Sequence, residues 1–223
     1  MDNDKVEDAF NDASDKYDKY RKQAIPNMEL YYNTAIELTQ KYDKPKILDL
    51  GAGTGILTQL LHEKHPESDI TLLDLSVQML NKAKDKFKKQ NFKYVIADYL
   101  SYDYNEKYDV VISSLSIHHL TDEKKQELYK KVYSILNDGG IFINADEVYG
   151  QSEETEQIFK NKDSSHLNKQ DIPEEEKEVL RQRRKLDRPS RLTDTIRWYE
   201  DIGFVNVDVY YKYYRYFVVA GEK

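Results

Sequence analysis

The chain has 223 residues, a formal net charge of −7, no cysteine, and 39% hydrophobic residues. This length suits one domain with a full core, and the lack of cysteine excludes disulfides and thiolate metal sites. The negative charge disfavours nucleic acid as a partner, although a local basic patch would not be excluded by it. No apolar run is long enough to span a bilayer and the N-terminus is acidic, so we expect a cytoplasmic protein with no membrane partner.

The first part of the chain has apolar residues three and four positions apart, which is typical of helices that pack on a core. A first helix is predicted from Val6, and Pro26 is predicted to open a second one that continues to about Tyr42. The apolar positions that define the first helix are Phe10, Ala13, Tyr17, Tyr20 and Ala24.

An apolar run at Ile47–Leu50 then enters a glycine turn that opens into a helical pattern from Thr54. Glycine allows positive φ and close approach of the backbone to a ligand, and the N–H groups at the following helix start attract polar ligand atoms. A second apolar run, Ile70–Leu73, ends in Asp74. Asp74 follows the glycine turn by close to the ~20 residues expected when a carboxylate holds ribose hydroxyls. The two runs together indicate an adenosine-type ligand.

Strand and helix patterns alternate from there, which predicts a parallel sheet with helices on both faces. Helices are predicted from Ser76 and Thr121, the second continuing through Leu136 until Gly139 and Gly140 end it. The remaining predicted elements are strands near Lys93–Ile96, Val110–Ser113 and Ile141–Asn144, a helix around Thr195–Ile202, and strands at Val205–Val209 and Tyr214–Ala220.

The glycine spacing reads Asp49-x-Gly51-x-Gly53-x-Gly55 and not the Gly-x-Gly-x-x-Gly of dinucleotide sites. It resembles class I S-adenosylmethionine-dependent methyltransferases. Three later motifs of that family follow in order, namely Ala97-Asp98, Tyr108–Ser114 and Asp138–Ile143. The resemblance runs from about Tyr17 to the C-terminus. A Rossmann-type domain that binds NAD is the alternative.

The resemblance implies an α/β fold: a Rossmann-like, doubly wound, mostly parallel seven-stranded sheet with a C-terminal antiparallel hairpin, N-terminal helices and a helical lid. It also implies a single domain over 1–223, with four parts: an N-terminal helical gate at 1–44, a cofactor-binding core at 45–149, a lid insertion at 150–191, and a C-terminal helix and hairpin at 192–223. Within the irregular lid, a helix is predicted from Pro173, because its first turn is acidic and its last turn is basic.

The cofactor that the resemblance implies is S-adenosyl-L-methionine. Asp49 would orient its amino group, in part through water, Asp74 would accept both ribose hydroxyls, and Asp98 would accept the adenine amino group. Tyr17 and Arg21 have an equally good explanation as a core anchor and a solvated charge. The implied cofactor-binding residues are Tyr17, Arg21, Asp49, Gly51, Ala52, Gly53, Asp74, Leu75, Met79, Asp98, Tyr99 and Ser114.

Methyl transfer from a sulfonium rests mainly on alignment and on exclusion of water, so a general base is optional. His119 is the candidate base, whereas His118 is expected to fix the loop by hydrogen bonds. The histidine pair lacks a matched carboxylate nearby in the sequence, so no metal site is predicted. Weaker candidates on the substrate side are Asp146, Glu147 and Tyr149.

A narrower resemblance covers Arg181–Leu186 and Leu192–Thr195, which are similar to the same region of carboxy-S-adenosylmethionine synthases. Those enzymes convert the cofactor with prephenate for wobble-uridine modification of tRNA. Arg184 falls on their carboxylate-binding arginine, and a guanidinium suits that role. The chain departs from them at Ser114, where asparagine is expected, and at the histidine pair.

We expect a methyltransferase that acts on a small-molecule acceptor, with Arg184 and His119 on its catalytic side. The alternatives are a carboxy-S-adenosylmethionine synthase, an RNA methyltransferase that uses the basic stretch Arg181–Arg191, and a cofactor-binding protein without turnover. The sequence leaves the oligomeric state open, a homodimer included.

Overall fold

The computed structural model describes residues 17–223, so the predicted helical turns from Val6 lie outside the described part of the chain. The side chain of Tyr17 also lies outside it. The strands are β1 Lys46–Leu50, β2 Asp69–Asp74, β3 Lys93–Ile96, β4 Tyr108–Ser114, β5 Leu136–Glu147, β6 Val205–Tyr213 and β7 Tyr216–Glu222.

The seven strands form a single sheet in the order β3-β2-β1-β4-β5-β7-β6. Strands β1 to β5 pair in parallel, and β7 lies antiparallel between β5 and β6. The predicted α/β fold with a C-terminal antiparallel hairpin is therefore confirmed. The strand order reverses between β1 and β4, and ligands of such sheets bind at the carboxyl ends of the strands at this point.

Helices cover both faces of the sheet, as the alternating pattern predicts. Several begin at side-chain caps: Oγ of Ser76 accepts the N–H of Met79 at 3.2 Å, and Oγ1 of Thr121 accepts that of Lys124 at 3.4 Å. The helices are α1 Tyr17–Ala24, α2 Met28–Glu37, α3 Ile56–Lys64, α4 Val77–Lys86, α5 Asp122–Ile135, α6 Glu153–Asn168, α7 Glu174–Arg183 and α8 Leu192–Ile202, with 3-10 turns at Ile117–His119 and Arg184–Leu186.

Alternate residues of the strands enter two separate cores. Ile47 packs in a cluster with residues of α2, α3 and α4, whereas its neighbour Leu48 packs in a cluster with residues of α5 and α8. Both side chains are fully buried. Since successive strand residues point to opposite faces, a strand covered on both faces carries apolar residues at successive positions, as Ile47, Leu48 and Leu50 of β1 do.

Two boundaries at the glycine turns differ from the prediction. Helix α3 begins at Ile56 and not at Thr54, after Gly55 with φ 77°. Strand β5 begins at Leu136, because the Gly139–Gly140 pair lies in an irregular part of the strand and not at a helix end. There the N–H of Gly139 donates to the carbonyl of Lys223, and the N–H of Lys223 donates to Gly140, both at 2.9 Å. The glycines thus join β5 to the C-terminus.

The lid holds one helix more than its sequence pattern predicts. The predicted helix is α7, with Pro173 at its N-cap. Helix α6 was missed, although Oγ of Ser152 caps it by accepting the N–H of Thr155 at 3.2 Å and its first turn is acidic. The sequence of α6 shows only a weak apolar pattern, because the helix buries charged residues as well as apolar ones. No helix among residues 17–223 has the length and apolar character needed to cross a membrane.

Candidate active site

A cleft of about 970 Å³, part of it open to solvent, lies at the carboxyl ends of β1, β2 and β4. The strand ends and the loops that follow them form its walls, and Arg21 of α1 reaches it from the N-terminal side. Its lining residues are Arg21, Tyr32, Asp49, Gly51, Ala52, Gly53, Thr54, Ile56, Leu57, Asp74, Leu75, Ser76, Met79, Asp98, Tyr99, Ser114, Leu115, Ser116, His119 and Leu120.

The glycine turn forms the floor of the cleft. Gly51 has φ 69°, and a Cβ placed on it would lie 2.0 Å from Oγ of Ser116. Gly53 has φ 56°, and an added Cβ would meet no atom within 4 Å. Only glycine adopts such conformations freely, so Gly51 lets Ser116 pack against the turn and Gly53 leaves open space above it. This cradle fits the close backbone approach that an adenosine-type cofactor needs.

Asp74 is the carboxylate at the end of β2. Its Oδ2 accepts the N–H of Gly53 and its Oδ1 accepts the N–H of Ser76, each at 2.8 Å. These bonds tie the strand end to the glycine turn and fix the direction of the carboxylate. Because each carboxylate oxygen has two lone pairs, both oxygens keep acceptor capacity for ligand hydroxyls.

Asp49 is almost fully buried, at 1% exposure, in β1. Burial raises the pKa of its carboxyl from 3.8 to about 7, the charge of Asp74 adds to this, and a hydrogen bond from Thr58 opposes it. Oγ1 of Thr58 donates to Oδ2 of Asp49 at 2.6 Å. Because its pKa lies near neutral pH, the Asp49 carboxyl beside the cleft can lose its proton and pair with a cationic group of a ligand.

The loop after β3 closes the far end of the cleft. Oδ1 of Asp98 accepts the N–H of Leu100 at 2.8 Å, and the hydroxyl of Tyr104 donates to the carbonyl of Tyr99 at 3.0 Å. Met79 of α4 is buried against this region, with 2% exposure. The arrangement presents a carboxylate edge and apolar surface, which matches the needs of a planar base.

The loop after β4 separates the cleft from a second cavity. Oγ of Ser114 donates to the hydroxyl of Tyr32 at 2.8 Å. Leu115 then takes φ 48°, a conformation that is strained for a leucine. Its N–H donates to the carbonyl of Ala145 at 2.9 Å, which holds the strained residue in place. The turn directs Ile117–His119 over the cleft.

His118 lies between two carboxylates. Its Nδ1 lies 2.5 Å from Oδ1 of Asp146, and its Nε2 lies 3.3 Å from Oδ1 of Asp187. These charges raise the pKa of His118 well above its ordinary value, although its burial acts in the opposite direction. By contrast, burial and the charge of His118 lower the pKa of His119 to about 3. His119 is therefore uncharged at neutral pH.

The second cavity, of about 810 Å³, adjoins the cleft and shares Arg21, Leu115 and His119 with it. The lid helix α7 and the 3-10 turn after it form its outer wall. Both guanidinium and carboxylate groups line this cavity. Its other lining residues are Tyr20, Ala24, Ile25, His118, Glu147, Glu176, Val179, Leu180, Arg183, Arg184, Asp187 and Tyr216.

Arg184 is held at the wall of the second cavity by two groups. Its NH1 lies 3.5 Å from Oδ2 of Asp163, and its NH2 donates to the hydroxyl of Tyr216 at 3.3 Å. Asp163 also pairs with the Nε of Arg215, which joins the lid to the C-terminal hairpin. Arg184 thus presents a positioned cation beside the second cavity.

The comparisons with known proteins agree with this geometry. Residues 47–140 match the model of a family described as a methyltransferase domain. This part of the chain is a methyltransferase domain, of the class I S-adenosylmethionine-dependent type. Its N-terminal helices and its lid lie outside the matched range.

Two curated proteins illustrate what this chain is similar to. A malonyl-[acyl-carrier protein] O-methyltransferase of Ilyobacter polytropus is 28% identical over 144 residues, which are 64% of this chain and 54% of that protein. A carboxy-S-adenosyl-L-methionine synthase of Nautilia profundicola is 23% identical over 204 residues, 88% of this chain and 86% of that protein. The chain spans about half the length of the malonyl-[acyl-carrier protein] methyltransferases that it matches.

A solved structure of the same fold covers the whole chain. The magnesium protoporphyrin IX methyltransferase of Synechocystis PCC 6803, solved with bound S-adenosylmethionine, superposes with a TM-score of 0.65 over 100% of this chain and 97% of that one. Its identity is 14%, so the likeness concerns the fold.

The sequence-predicted site residues of this methyltransferase meet in two adjoining places. Every predicted cofactor-binding residue whose side chain is described lines the cleft, and so does His119. Arg184 does not reach the cleft and lines the second cavity instead. Of the weaker candidates, Glu147 lines that cavity, Asp146 faces His118, and the hydroxyl of Tyr149 donates to Glu153 at 3.0 Å.

Sequence reasoning missed Asp187, Tyr32 and Ser116. Asp187 is the carboxylate partner that the histidine pair lacked in the sequence, so the ligand whose absence argued against a metal site is present, and the absence of a metal site stays a prediction. No local pattern marks these residues. Only the packing of α2, of the loop after β4 and of the lid brings them to the site.

Proposed function

We propose that this protein is a methyltransferase that binds S-adenosyl-L-methionine in the cleft and transfers its methyl group to a small polar acceptor in the second cavity. The observation that carries the proposal is that the two cavities adjoin and share part of their lining. They meet at Arg21, Leu115 and His119, so a donor in one and an acceptor in the other would face each other. A cytoplasmic location and a homodimer remain predictions.

Within this proposal the cleft residues keep the roles implied by their positions. Asp74 would accept the ribose hydroxyls, Asp98 the adenine amino group, and Asp49 the amino group of the methionine part. Gly51, Ala52 and Gly53 would pass beneath the ligand, with Leu75, Met79 and Tyr99 around the base and Ser114 beside the methionine part. Tyr17 and Arg21 would close the cleft from the N-terminal helix.

Methyl transfer needs little acid or base catalysis from the protein. S-adenosylmethionine supplies a methyl group activated by its sulfonium, and the protein aligns the acceptor and excludes water. Since the pKa of His119 is lowered to about 3, its imidazole is a weak base. We assign it a positioning role, in which it accepts a hydrogen bond from the acceptor group. Arg184 would hold a negatively charged part of the acceptor through its guanidinium.

The proposal is tested by calorimetry with S-adenosylmethionine, followed by a screen of small acceptors for formation of S-adenosylhomocysteine. Carboxylic acids and acyl thioesters enter the screen first, because the second cavity holds guanidinium groups and because a relative methylates malonyl-[acyl-carrier protein]. We expect cofactor binding with one site per chain. No binding, or binding that Asp74→Asn leaves unchanged, would refute the proposal.

A carboxy-S-adenosylmethionine synthase is the second candidate. It is supported by the long match to such an enzyme and by the place of Arg184 on the second cavity. It is opposed by Ser114, and by the engagement of Arg184 with Asp163 and Tyr216. Incubation with S-adenosylmethionine and prephenate, followed by mass spectrometry of the nucleoside, separates the two functions. A carboxylated product that Arg184→Ala abolishes would replace methyl transfer as the proposed reaction.

A further inference from the structure

Two histidines and one aspartate converge at the boundary of the two cavities. Oδ1 of Asp187 lies 3.3 Å from Nε2 of His118 and 3.4 Å from Nδ1 of His119. One ligand atom from each of the three residues lies within 4.8 Å of the other two. Side-chain exposures are 6%, 12% and 9% for His118, His119 and Asp187, so the cluster is largely removed from bulk water.

The two spacings to Asp187 agree with the coordination geometry of a small divalent metal. Zinc binds imidazole nitrogen and carboxylate oxygen at roughly 2.0–2.2 Å, so neighbouring ligand atoms of a tetrahedral site lie about 3.3–3.5 Å apart. Both measured distances to Asp187 fall in that interval or at its edge. Two imidazoles and one carboxylate are also a common donor set of sites that keep a fourth position open.

A second carboxylate orients the first histidine. Oδ1 of Asp146 lies 2.5 Å from Nδ1 of His118, and Oδ2 of Asp146 accepts the backbone N–H of the same residue at 3.0 Å. With Nδ1 donating to Asp146, loss of the proton from Nε2 would leave a lone pair on the side of Asp187, where a metal ion would lie. Histidines that bind metals are usually held in this way by a carboxylate at the other ring nitrogen.

The backbone also holds the third ligand in place. The N–H of Arg188 donates to the carbonyl of His118 at 2.8 Å, so the segment with Asp187 is fixed against the histidine turn. Lys125, which is 3% exposed, binds the carbonyl of Arg188 and lies 2.5 Å from Oγ of Ser190. The cluster is thus formed before any ligand arrives.

We propose that His118, His119 and Asp187 bind one divalent transition-metal ion of the zinc class, with an open coordination position toward the second cavity. When both imidazoles are neutral, the two negative charges of the Asp146 and Asp187 carboxylates balance the positive charge of the divalent ion. The open position would take an oxygen atom of a ligand in the second cavity, and Arg21 and Arg184, which also line this cavity, would favour an anionic ligand. This metal-site proposal is independent of whether the protein catalyses methyl transfer.

The test titrates zinc into the full chain after treatment with a chelator, with calorimetry and metal analysis of the dialysed protein. Cobalt(II) serves as a spectroscopic probe, because its visible absorption reports nitrogen and oxygen coordination at low coordination number. We expect one ion per chain. Asp187→Asn keeps the side-chain volume. It should weaken zinc binding by more than the roughly 10–100-fold seen on loss of a residue that only hydrogen-bonds a metal ligand.

Three further variants make the outcome unambiguous. Asp146→Asn should weaken zinc binding by roughly 10–100-fold, as an outer partner does, and His119→Ala should remove the cobalt spectrum. Asp201→Asn, an exposed position of α8, is the matched control and should bind zinc as the unmodified chain does. Thermal unfolding shows that each variant is folded. Binding that is absent, not stoichiometric, or unchanged in Asp187→Asn would overturn the proposal and leave a buried ion pair.

Discussion

A methyl group on Gly51 would stand 2.0 Å from Oγ of Ser116 and 2.5 Å from its Cβ. The turn after β1 and the loop after β4 therefore pack closely at Gly51, with no space for a side chain between them. Both segments lie at the strand ends where the order of the sheet reverses.

The contact predicts the effect of Gly51→Ala. The variant must move one of the two loops, so we expect weaker binding of S-adenosylmethionine and a lower melting temperature. Gly139→Ala is the matched control, because Gly139 has a similar φ of 77° but no atom within 4 Å of an added Cβ. Calorimetry and thermal melts compare the two. Ser116→Gly in the Gly51→Ala background should restore binding in part, and equal losses in both glycine variants would show that the conformation alone is responsible.

Asp74→Asn should weaken cofactor binding with little change in fold. The amide keeps the volume but replaces one of the two oxygens that accept the N–H groups of Gly53 and Ser76. A hydrogen bond to a charged group contributes about 1.5–3 kcal/mol, so binding should fall roughly 10–150-fold. Asp85→Asn, an exposed aspartate of α4 that pairs with Lys88, is the control and should bind normally.

The raised pKa of Asp49 predicts that cofactor binding strengthens as pH rises, whereas the stability of the ligand-free chain falls. Its pKa is raised to about 7 in the folded chain, so its carboxyl is largely neutral at pH 6 and largely ionised at pH 8. If it holds the cationic amino group of the cofactor, binding should strengthen about tenfold over this range. Calorimetry at both values measures it, and Asp49→Asn should remove this contribution.

The stability of the ligand-free chain should change in the other direction. A folded pKa above the unfolded value means that the contribution of Asp49 is complete below the unfolded pKa and is lost as pH rises through about 7. Urea denaturation of the unmodified chain and of Asp49→Asn isolates this term. A difference between the two that does not vary from pH 5 to pH 8 would contradict the prediction.

Arg215→Met should destabilise the chain strongly. The guanidinium of Arg215 lies 3.3 Å from Oε2 of Glu147 and 3.3 Å from Oε1 of Glu156, and it pairs with Asp163. All four side chains are buried. Its removal leaves buried carboxylates without this cation, at a cost of about 3–5 kcal/mol.

Denaturation with urea measures this cost, and Arg197→Met provides the control. Arg197 pairs with Asp194 at 2.8 Å on the surface, with 62% of its side chain exposed, so its loss should cost no more than about 1 kcal/mol. Equal destabilisation in the two variants would show that the Arg215 cluster does not hold the lid on the sheet.

Much of the fold can be read from the sequence, because the signals involved are local. The apolar run Ile47–Leu50, the glycine turn and Asp74 lie within one short stretch, and parallel strands bring their carboxyl ends to one edge. The caps at Ser76 and Thr121 are likewise contacts between residues close in sequence. Helix α6 was harder to predict, since its inner face buries Glu156 and Asp163, which pair with Arg215 of the hairpin, far away in the sequence.

The sequence by itself determined the sheet, the glycine cradle and the set of residues around the cleft. Only the tertiary structure decided that Arg184 lies in a separate cavity, that Tyr32 meets Ser114, and that Asp187 completes a cluster with His118 and His119. The physical reason is the distance along the sequence over which each interaction acts. Backbone periodicity and turn chemistry act between near neighbours, whereas ion pairs and cavity walls depend on how the lid and the N-terminal helices pack on the finished sheet.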